Sequence, residues 1–142
     1  IDVSKDISPS ATEWVVRKKD YKMTSVYQVA LSSLINLKRI VVRTSCFRSA
    51  RSFELSELSE LESVKIGKDS FTTAKDSPLD SEQSDGSFRI VNCPKLKSLQ
   101  FEDQSFSDYH SFELTNLPSL QSIDIGESCF TFASLSLASM VG

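Results

Sequence analysis

The sequence predicts a β-rich solenoid, in which coils of 24 residues stack to form two short parallel strand ladders with little helix. Three observations lead to this fold class. Apolar residues recur at fixed offsets, and each repeat holds two segments in which apolar and polar residues alternate. Glycine and proline, with four residues each, are too scarce for a domain rich in tight hairpins. The 142 residues, 39% of them hydrophobic, suit one such domain.

Four units carry the repeat. Each begins at an apolar residue, and the positions 2, 5, 8, 11, 13 and 18 residues later are again apolar or cysteine. The first residues of the units are Val29, Phe53, Phe88 and Phe112. In the last unit the later positions are Leu114, Leu117, Leu120, Ile123, Ile125 and Phe130. We expect all these positions to face the core of the stack.

The spacing divides the chain into one domain of successive coils. The full coils are predicted at residues 29–52, 53–87, 88–111 and 112–134, with a polar, acidic insertion at 72–87 expected as a surface loop. Residues 1–28 are interpreted as a degenerate N-terminal half-coil, because Trp14 and Val16 match offsets 11 and 13. The alternative for this segment is a helix begun by Ser10. Residues 135–142 are predicted to be a truncated coil that ends before it closes.

Each coil is expected to contain two strands, as at residues 111–115 and 122–126, where alternation buries one face. Equivalent strands of neighbouring coils would lie in parallel about 4.8 Å apart. Seven buried side chains cannot offset the entropy of ordering 24 residues, so one coil alone is not expected to fold. Stability must come from contacts between neighbouring coils.

The run from Leu117 to Ile125 resembles the leucine-rich-repeat pattern L-x-x-L-x-x-L-x-L. Two continuations, Ile66-Gly67-x-x-x-Phe71 and Ile125-Gly126-x-x-x-Phe130, are similar to the signature of the BspA-type subclass of that family. The resemblance implies a leucine-rich-repeat solenoid whose surface binds other molecules. The sequence departs from the commoner subclass at offset 16, where the asparagine ladder is replaced by Ser45, Asp69, Gln104 and Ser128.

Motifs of enzyme chemistry are missing, so we expect no catalytic activity and no cofactor. The single histidine, His110, is expected to be solvated in the corner formed with Asp108 and Tyr109. The three cysteines are scattered, so they predict neither a disulfide nor a metal site. Unpaired thiols favour an intracellular location, with the cell surface as the alternative.

Charge is distributed unevenly along the chain. Residues 1–51 hold ten Lys or Arg and four acidic residues, a balance of +6, whereas residues 52–142 hold six and fifteen, a balance of −9. On the strand that would line the concave side, the outward positions change from basic to acidic. The partner-binding residues predicted on this face are Val15, Arg17, Arg39, Val41, Arg43, Lys65, Glu102 and Asp124. The valines rimmed by arginine resemble the centre of a protein interface.

Two functions fit this sequence. The first is an intracellular scaffold or binding module that contacts another protein through the concave strand face. The second is a cell-surface adhesion or recognition repeat that binds host proteins or glycans. No small-molecule substrate is expected. The net charge of −3 argues against nucleic acid, and no apolar run is long enough for membrane insertion. The exposed ends of the stack predict a larger chain or assembly.

Overall fold

The computed structural model describes residues 3–17, 27–72 and 86–130, together with the backbone of residues 134–138. A short 3-10 helix, Val3–Asp6, comes first. Ten strands follow within the described ranges: β1 Glu13–Val16, β2 Gln28–Ser32, β3 Arg39–Val42, β4 Ser52–Ser56, β5 Ser63–Ile66, β6 Ser87–Val91, β7 Ser98–Phe101, β8 Ser111–Thr115, β9 Ser122–Ile125 and β10 Ser134–Ala138.

The strands form two parallel sheets. Sheet A has the order β1-β3-β5-β7-β9, and sheet B has the order β2-β4-β6-β8-β10. Residues at the same repeat offset are paired, as Val64 is with Ile40 and Leu99. The chain therefore runs along sheet B and returns along sheet A in each coil. Two all-parallel sheets and a 24-residue spacing confirm the predicted solenoid.

The strand positions agree closely with the repeat. Strand β8 covers the expected 111–115, and β9 ends at Ile125, one residue before the expected end. Residues 13–16 form β1, which pairs with β3, so the alternative of a helix does not hold there. Tyr21, which also matched the repeat, lies outside the described residues.

Two ladders of phenylalanine rings fill one half of the core. Rings at offset 18 stack through Phe71 and Phe106, whose centroids are 4.5 Å apart, and rings at offset 0 stack through Phe53 and Phe88 at 5.0 Å. The ladders meet edge to face, with Phe88 and Phe106 at 5.0 Å and 80°. Such pairs contribute about 0.5–1.5 kcal/mol each beyond the burial of their area. The aromatic half of the core thus ties each coil to both neighbours.

The corners of the coils adopt left-handed backbone conformations without glycine. The residues with positive φ lie at offsets 4, 16 and 18 of each coil. They are Ser33, Glu57, Asn92, Asn116, Ser45, Asp69, Gln104, Ser128, Phe47, Phe71, Phe106 and Phe130. A side chain in this conformation costs about 1–2 kcal/mol. Burial of each phenylalanine ring offsets that strain at offset 18.

Two asparagines form a short ladder between coils at offset 4, and not at offset 16, where the sequence has no asparagine. Asn116 Nδ2 donates a hydrogen bond of 2.9 Å to Asn92 Oδ1, and both residues stand at offset 4. Asparagine tolerates the left-handed conformation better than most side chains. The ladder therefore combines a favourable backbone residue with a bond between coils.

Burial decreases at the C-terminal end of sheet A. Ile66 is completely buried, whereas Ile125 at the same offset is 46% exposed. Leu120 and Ile123 are half-buried, and so is Leu34 near the other end. The expectation that every repeat position lies in the core is wrong for Ile125. No strand of the described residues covers the outer edge of β9, so its inward side chains lack a neighbour on that side.

The insertion begins later and ends earlier than predicted. Thr72 is buried and bonds through its hydroxyl to Ser107 in the next coil, and Ser87 is the first residue of β6. Both belong to the stack rather than to a surface loop. Residues 73–85 lie outside the described part of the chain.

Tyr109 closes the corner from which the insertion leaves. Its ring lies against Gly86, and its hydroxyl donates a hydrogen bond of 2.8 Å to the carbonyl of Ala50, two coils away. Asp108 is buried beside it and approaches Arg51 at 3.9 Å. Tyr109 and Asp108 are therefore buried in this corner, and His110, which was expected to be solvated, is half-buried.

Candidate functional site

The outer face of sheet A collects the predicted binding residues. Because the strands are parallel and in register, outward side chains at one offset form a column across the sheet. The central column consists of Val15, Val41, Lys65, Gln100 and Asp124. Four strand spacings of about 4.8 Å separate its ends, so the column is about 19 Å long.

Valines form the N-terminal end of the central column. Val15 and Val41 are directly paired on β1 and β3, and both are half-buried. Arg39 stands beside them and makes an ion pair of 3.2 Å with Glu13. Both partners of this pair are largely exposed, so it contributes at most about 1 kcal/mol. The main role of the ion pair is therefore to orient Arg39 beside Val15 and Val41, and its contribution to stability is small.

Arg17 and Arg43 border the valines on the other side. They follow β1 and β3 at equivalent positions, where the backbone of Arg43 donates to the carbonyl of Val16 at 2.9 Å, and both side chains are exposed. The Ser70 hydroxyl of the next coil donates to the carbonyl of Arg43 at 2.8 Å. The structure thus places two valines between arginines on a backbone held by neighbouring coils.

The C-terminal end of the face is acidic. A cleft of about 230 Å³ lies there, and Glu102, Asp103 and Asp124 contribute to its lining. The Asp103 carboxylate accepts a hydrogen bond of 2.9 Å from the backbone of Glu127. A Cβ on Gly126 would lie 2.5 Å from Asp103 Oδ1, so the glycine makes this approach possible. Lys68 is the cation in this lining.

Lys65 lies between the two ends. It is exposed on β5 and is flanked across the sheet by Val41 and Gln100. A second cleft, of about 300 Å³, opens at the start of the same strands and is lined by Lys38, Arg39, Glu62, Ser63, Lys97 and Ser98. The structure therefore brings all eight predicted residues onto one face, with the basic and acidic groups at opposite ends.

Sheet B carries a second charged column that the sequence reasoning did not identify. Arg89 bonds to Glu113 and, at 3.0 Å, to Glu54, each on a neighbouring strand. The hydrogen bond and charge of Glu113 raise the pKa of the Arg89 guanidinium. All three residues stand one position after the start of their repeat, so the offsets contained this signal. The charges alternate along this column, so each is paired with an opposite charge on a neighbouring strand, and the three residues together carry a net charge of −1.

Burial inside the protein changes the pKa of one thiol and one phenol. Burial raises the pKa of the Cys93 thiol and raises that of Tyr109 well above its ordinary value.

No disulfide joins Cys46, Cys93 or Cys129 in the described structure. Within the described ranges no group of three or more His, Cys, Asp or Glu side chains could hold a metal ion. None of the described helices is long and apolar enough to span a bilayer.

Comparisons of the chain with protein-family models, curated proteins and solved structures find no match.

Proposed function

We propose that this chain is a protein-binding module of leucine-rich-repeat type, related to the BspA-type subclass, and that it acts through the outer face of sheet A. The single observation that carries the proposal is the patch in which Val15 and Val41 lie side by side and are bordered by Arg17, Arg39 and Arg43. Half-buried apolar groups rimmed by arginine are typical of interface centres.

The glycines of the repeat support the assignment to this family. A Cβ on Gly67 would lie 2.5 Å from the carbonyl carbon of Arg43, so this position requires glycine for neighbouring coils to approach. Gly126 has an equally close contact with Asp103. The Ile-Gly-x-x-x-Phe pattern therefore has a physical role at the bend, since the phenylalanine five residues after the isoleucine fills the core beside it.

The charge distribution indicates the chemistry of the partner. An apolar segment with acidic flanks would place its apolar side chains on the valines and its carboxylates beside the arginines. The acidic end, with Glu102 and Asp124, would repel the same flanks and so confine the segment to the N-terminal part of the face. Lys65 then marks the boundary between the attracting and repelling halves.

We also propose that the chain acts by binding and not by catalysis, and that it is located in a reducing compartment inside the cell. The outward side chains of sheet A form columns in register, and burial raises the pKa of the Cys93 thiol, which keeps it protonated. Cysteines that are not bridged are common in reducing compartments.

Affinity capture from a lysate of the source cells tests the proposal. The bait variant Arg17→Glu with Arg43→Glu reverses two charges on the face. The control variant Lys5→Glu with Lys95→Glu makes the same change in charge at exposed positions that line neither cleft of this face. Loss of the exposed ion pair between Lys95 and Glu60 should cost at most about 1 kcal/mol. We expect proteins retained by the wild type and the control to be lost from the face variant by at least tenfold, with far-UV circular dichroism unchanged.

Equal retention by both variants, or no retained protein with the wild type, would contradict binding at this face. Titration of a retained partner with the purified chain then measures the affinity. We expect that affinity to fall with rising salt, because exposed charges are screened.

A further inference from the structure

Opposite charges at equivalent positions of neighbouring coils form ion pairs at several places in this stack. Arg39 pairs with Glu13 at 3.2 Å, and Lys95 pairs with Glu60 at 2.9 Å. Arg89 contacts a glutamate on each of its two neighbouring strands. Equivalent positions of adjacent coils are about 4.8 Å apart, so side chains at this spacing can neutralise each other.

One column of alternating charges is an exception. Lys38, Glu62 and Lys97 stand at offset 9 of three successive coils, directly before β3, β5 and β7. Within the described ranges Glu62 forms no ion pair with either lysine. The backbone is regular here, because Glu62 donates to the carbonyl of Lys38 and Lys97 donates to that of Glu62, both at 2.8 Å. The charges therefore stay apart although the backbones that carry them are in register.

The cleft of about 300 Å³ opens between these charged side chains. Its lining consists of the offset 9 column, Arg39 and two serines, Ser63 and Ser98. Both lysines are exposed and the glutamate is half-buried. Strands β3, β5 and β7 each have a described strand on both sides, so the cleft belongs to the interior of the stack and not to its ends. Its volume is at the lower end of the range found for small-ligand sites.

The groups around the cleft complement a small anion that also carries hydroxyl groups. Each lysine ammonium offers three N–H donors to an anionic group, whereas Glu62 offers only acceptor oxygens. Glu62 would repel a simple anion but would accept strong hydrogen bonds from the hydroxyl groups of a ligand. The serine hydroxyls can donate or accept, and the aliphatic stems of the lysines can contact the C–H groups of a ring.

We propose that this cleft binds an acidic sugar, a hexuronate unit, with its carboxylate on Lys38 and Lys97 and its neighbouring hydroxyl groups donating to Glu62. This assignment uses both the cations and the carboxylate of the lining, which a phosphate or a simple carboxylate would not. The sugar is a ligand and not a substrate. The site is separate from the proposed protein-binding patch, because Val15 and Val41 lie outside the cleft and only Arg39 is shared.

Titration of the 15N-labelled 142-residue chain with D-galacturonate, followed through backbone amide chemical shifts, tests the proposal. We expect shifts at residues 38, 62–63 and 97–98 and a Kd of about 1 mM, since the ligand is small. D-galactose lacks the carboxylate and acetate lacks the hydroxyl groups, so each should bind at least tenfold more weakly. No shift at these residues, or equal affinity for galactose or acetate, would overturn the proposal.

The lysines are tested by a matched pair of variants. Lys38→Gln with Lys97→Gln should weaken galacturonate binding at least fivefold. The control Lys5→Gln with Lys95→Gln removes the same charge outside the cleft and should bind like the wild type. A lysine variant that is folded by circular dichroism and keeps the wild-type affinity would contradict the assignment.

Glu62→Ala separates an acidic-sugar site from a general anion site. Removal of the carboxylate relieves repulsion of galacturonate and acetate alike but deletes the acceptor for hydroxyl groups. The preference for galacturonate over acetate should therefore fall at least threefold, whereas the control Glu57→Ala, at an exposed glutamate outside the cleft, should keep it. An unchanged preference in Glu62→Ala would show that the cleft is a general anion site.

Two further measurements define the source of the sugar and its relation to the protein-binding face. Tighter binding of a galacturonate tetramer, at equal uronate concentration, identifies an acidic polysaccharide as the source, and equal binding identifies a single sugar. The variant Arg17→Glu with Arg43→Glu should bind galacturonate like the wild type. Failure of either proposal would thus leave the other intact.

Discussion

Coils 53–87 and 112–134 place the same residue pair, isoleucine followed by glycine, at the end of their sheet A strands, but in different surroundings. Ile66 is fully enclosed between β3 and β7, whereas Ile125 has a neighbouring strand on one side and is 46% exposed. The residues and offsets are identical, so the difference comes from the adjoining coils. In this fold, burial is a property of the stack more than of the residue, as expected for a nearly one-dimensional protein.

The largest expected effect follows from the isoleucines themselves. Ile66→Ala should lower the free energy of unfolding by about 2–5 kcal/mol, because it leaves a cavity that coils on both sides enclose. Ile125→Ala should lower it by less than about 1 kcal/mol, because water already reaches that side chain. Urea denaturation of both variants at 1 μM chain measures the difference, and equal losses would contradict the comparison.

The glycines provide a second matched pair with smaller effects. In Gly67→Ala the new methyl would meet the backbone of Arg43 and Thr44 at 2.5–2.8 Å, so a bend inside the stack would have to move. We expect a loss of about 1–3 kcal/mol. In Gly126→Ala the new methyl would also meet backbone, at 2.8 Å from Asp103 N, beside the carboxylate oxygen of Asp103 at 2.5 Å. This coil, however, has a described neighbouring strand on one side only and can shift more easily than an inner coil.

The loss for Gly126→Ala should therefore be less than half of that for Gly67→Ala. Thermal unfolding of the two variants, with the wild type as reference, measures this ratio. A larger loss at Gly126 would show that the end coil is as rigid as the inner ones.

Tyr109→Phe tests a contact that reaches beyond the nearest neighbour in the stack. The hydrogen bond to the carbonyl of Ala50 skips one coil, and its loss should lower the free energy of unfolding by about 0.5–1.5 kcal/mol. The ring itself remains in place, so the circular dichroism spectrum of the variant should equal that of the wild type.

The same substitution has a pH signature. Burial raises the pKa of Tyr109 in the folded chain above the ordinary value of 10.0, so above that pH the unfolded chain releases a proton that the folded chain retains. The unfolded state then binds fewer protons, and stability falls as pH rises past about 10. Denaturation between pH 8 and 11 should show a steeper alkaline loss for the wild type than for Tyr109→Phe; parallel curves would contradict the assignment.

The repeat pattern predicted what depends on spacing alone. It predicted the strands 111–115 and 122–125 closely and placed the candidate binding residues at offsets that become columns once the strands are in register. Register follows from the repeat because equivalent residues of adjacent coils lie side by side. The ion pair between Glu13 and Arg39 was available from the same offsets.

Features that depend on neighbouring coils were missed. The burial of Tyr109 and Asp108 could not be inferred from their polar surroundings in the sequence, because their contacts, with Gly86, Ala50 and Arg51, come from other coils. The exposure of Ile125 depends on what lies beyond β9, which its own pattern does not record. The 3-10 helix at Val3–Asp6 follows no part of the repeat, so periodicity gave no indication of it.

The corner between Thr72 and Gly86 has a practical consequence. In coil 29–52 the equivalent positions, Arg48 and Arg51, are joined by only two residues, so Thr72 and Gly86 must also lie within a two-residue span. The thirteen residues 73–85 therefore connect two positions, Thr72 and Gly86, that two residues connect in coil 29–52. A foreign peptide grafted between Thr72 and Gly86 would be displayed from a fixed anchor, which makes this solenoid a natural carrier for epitopes or sensor segments.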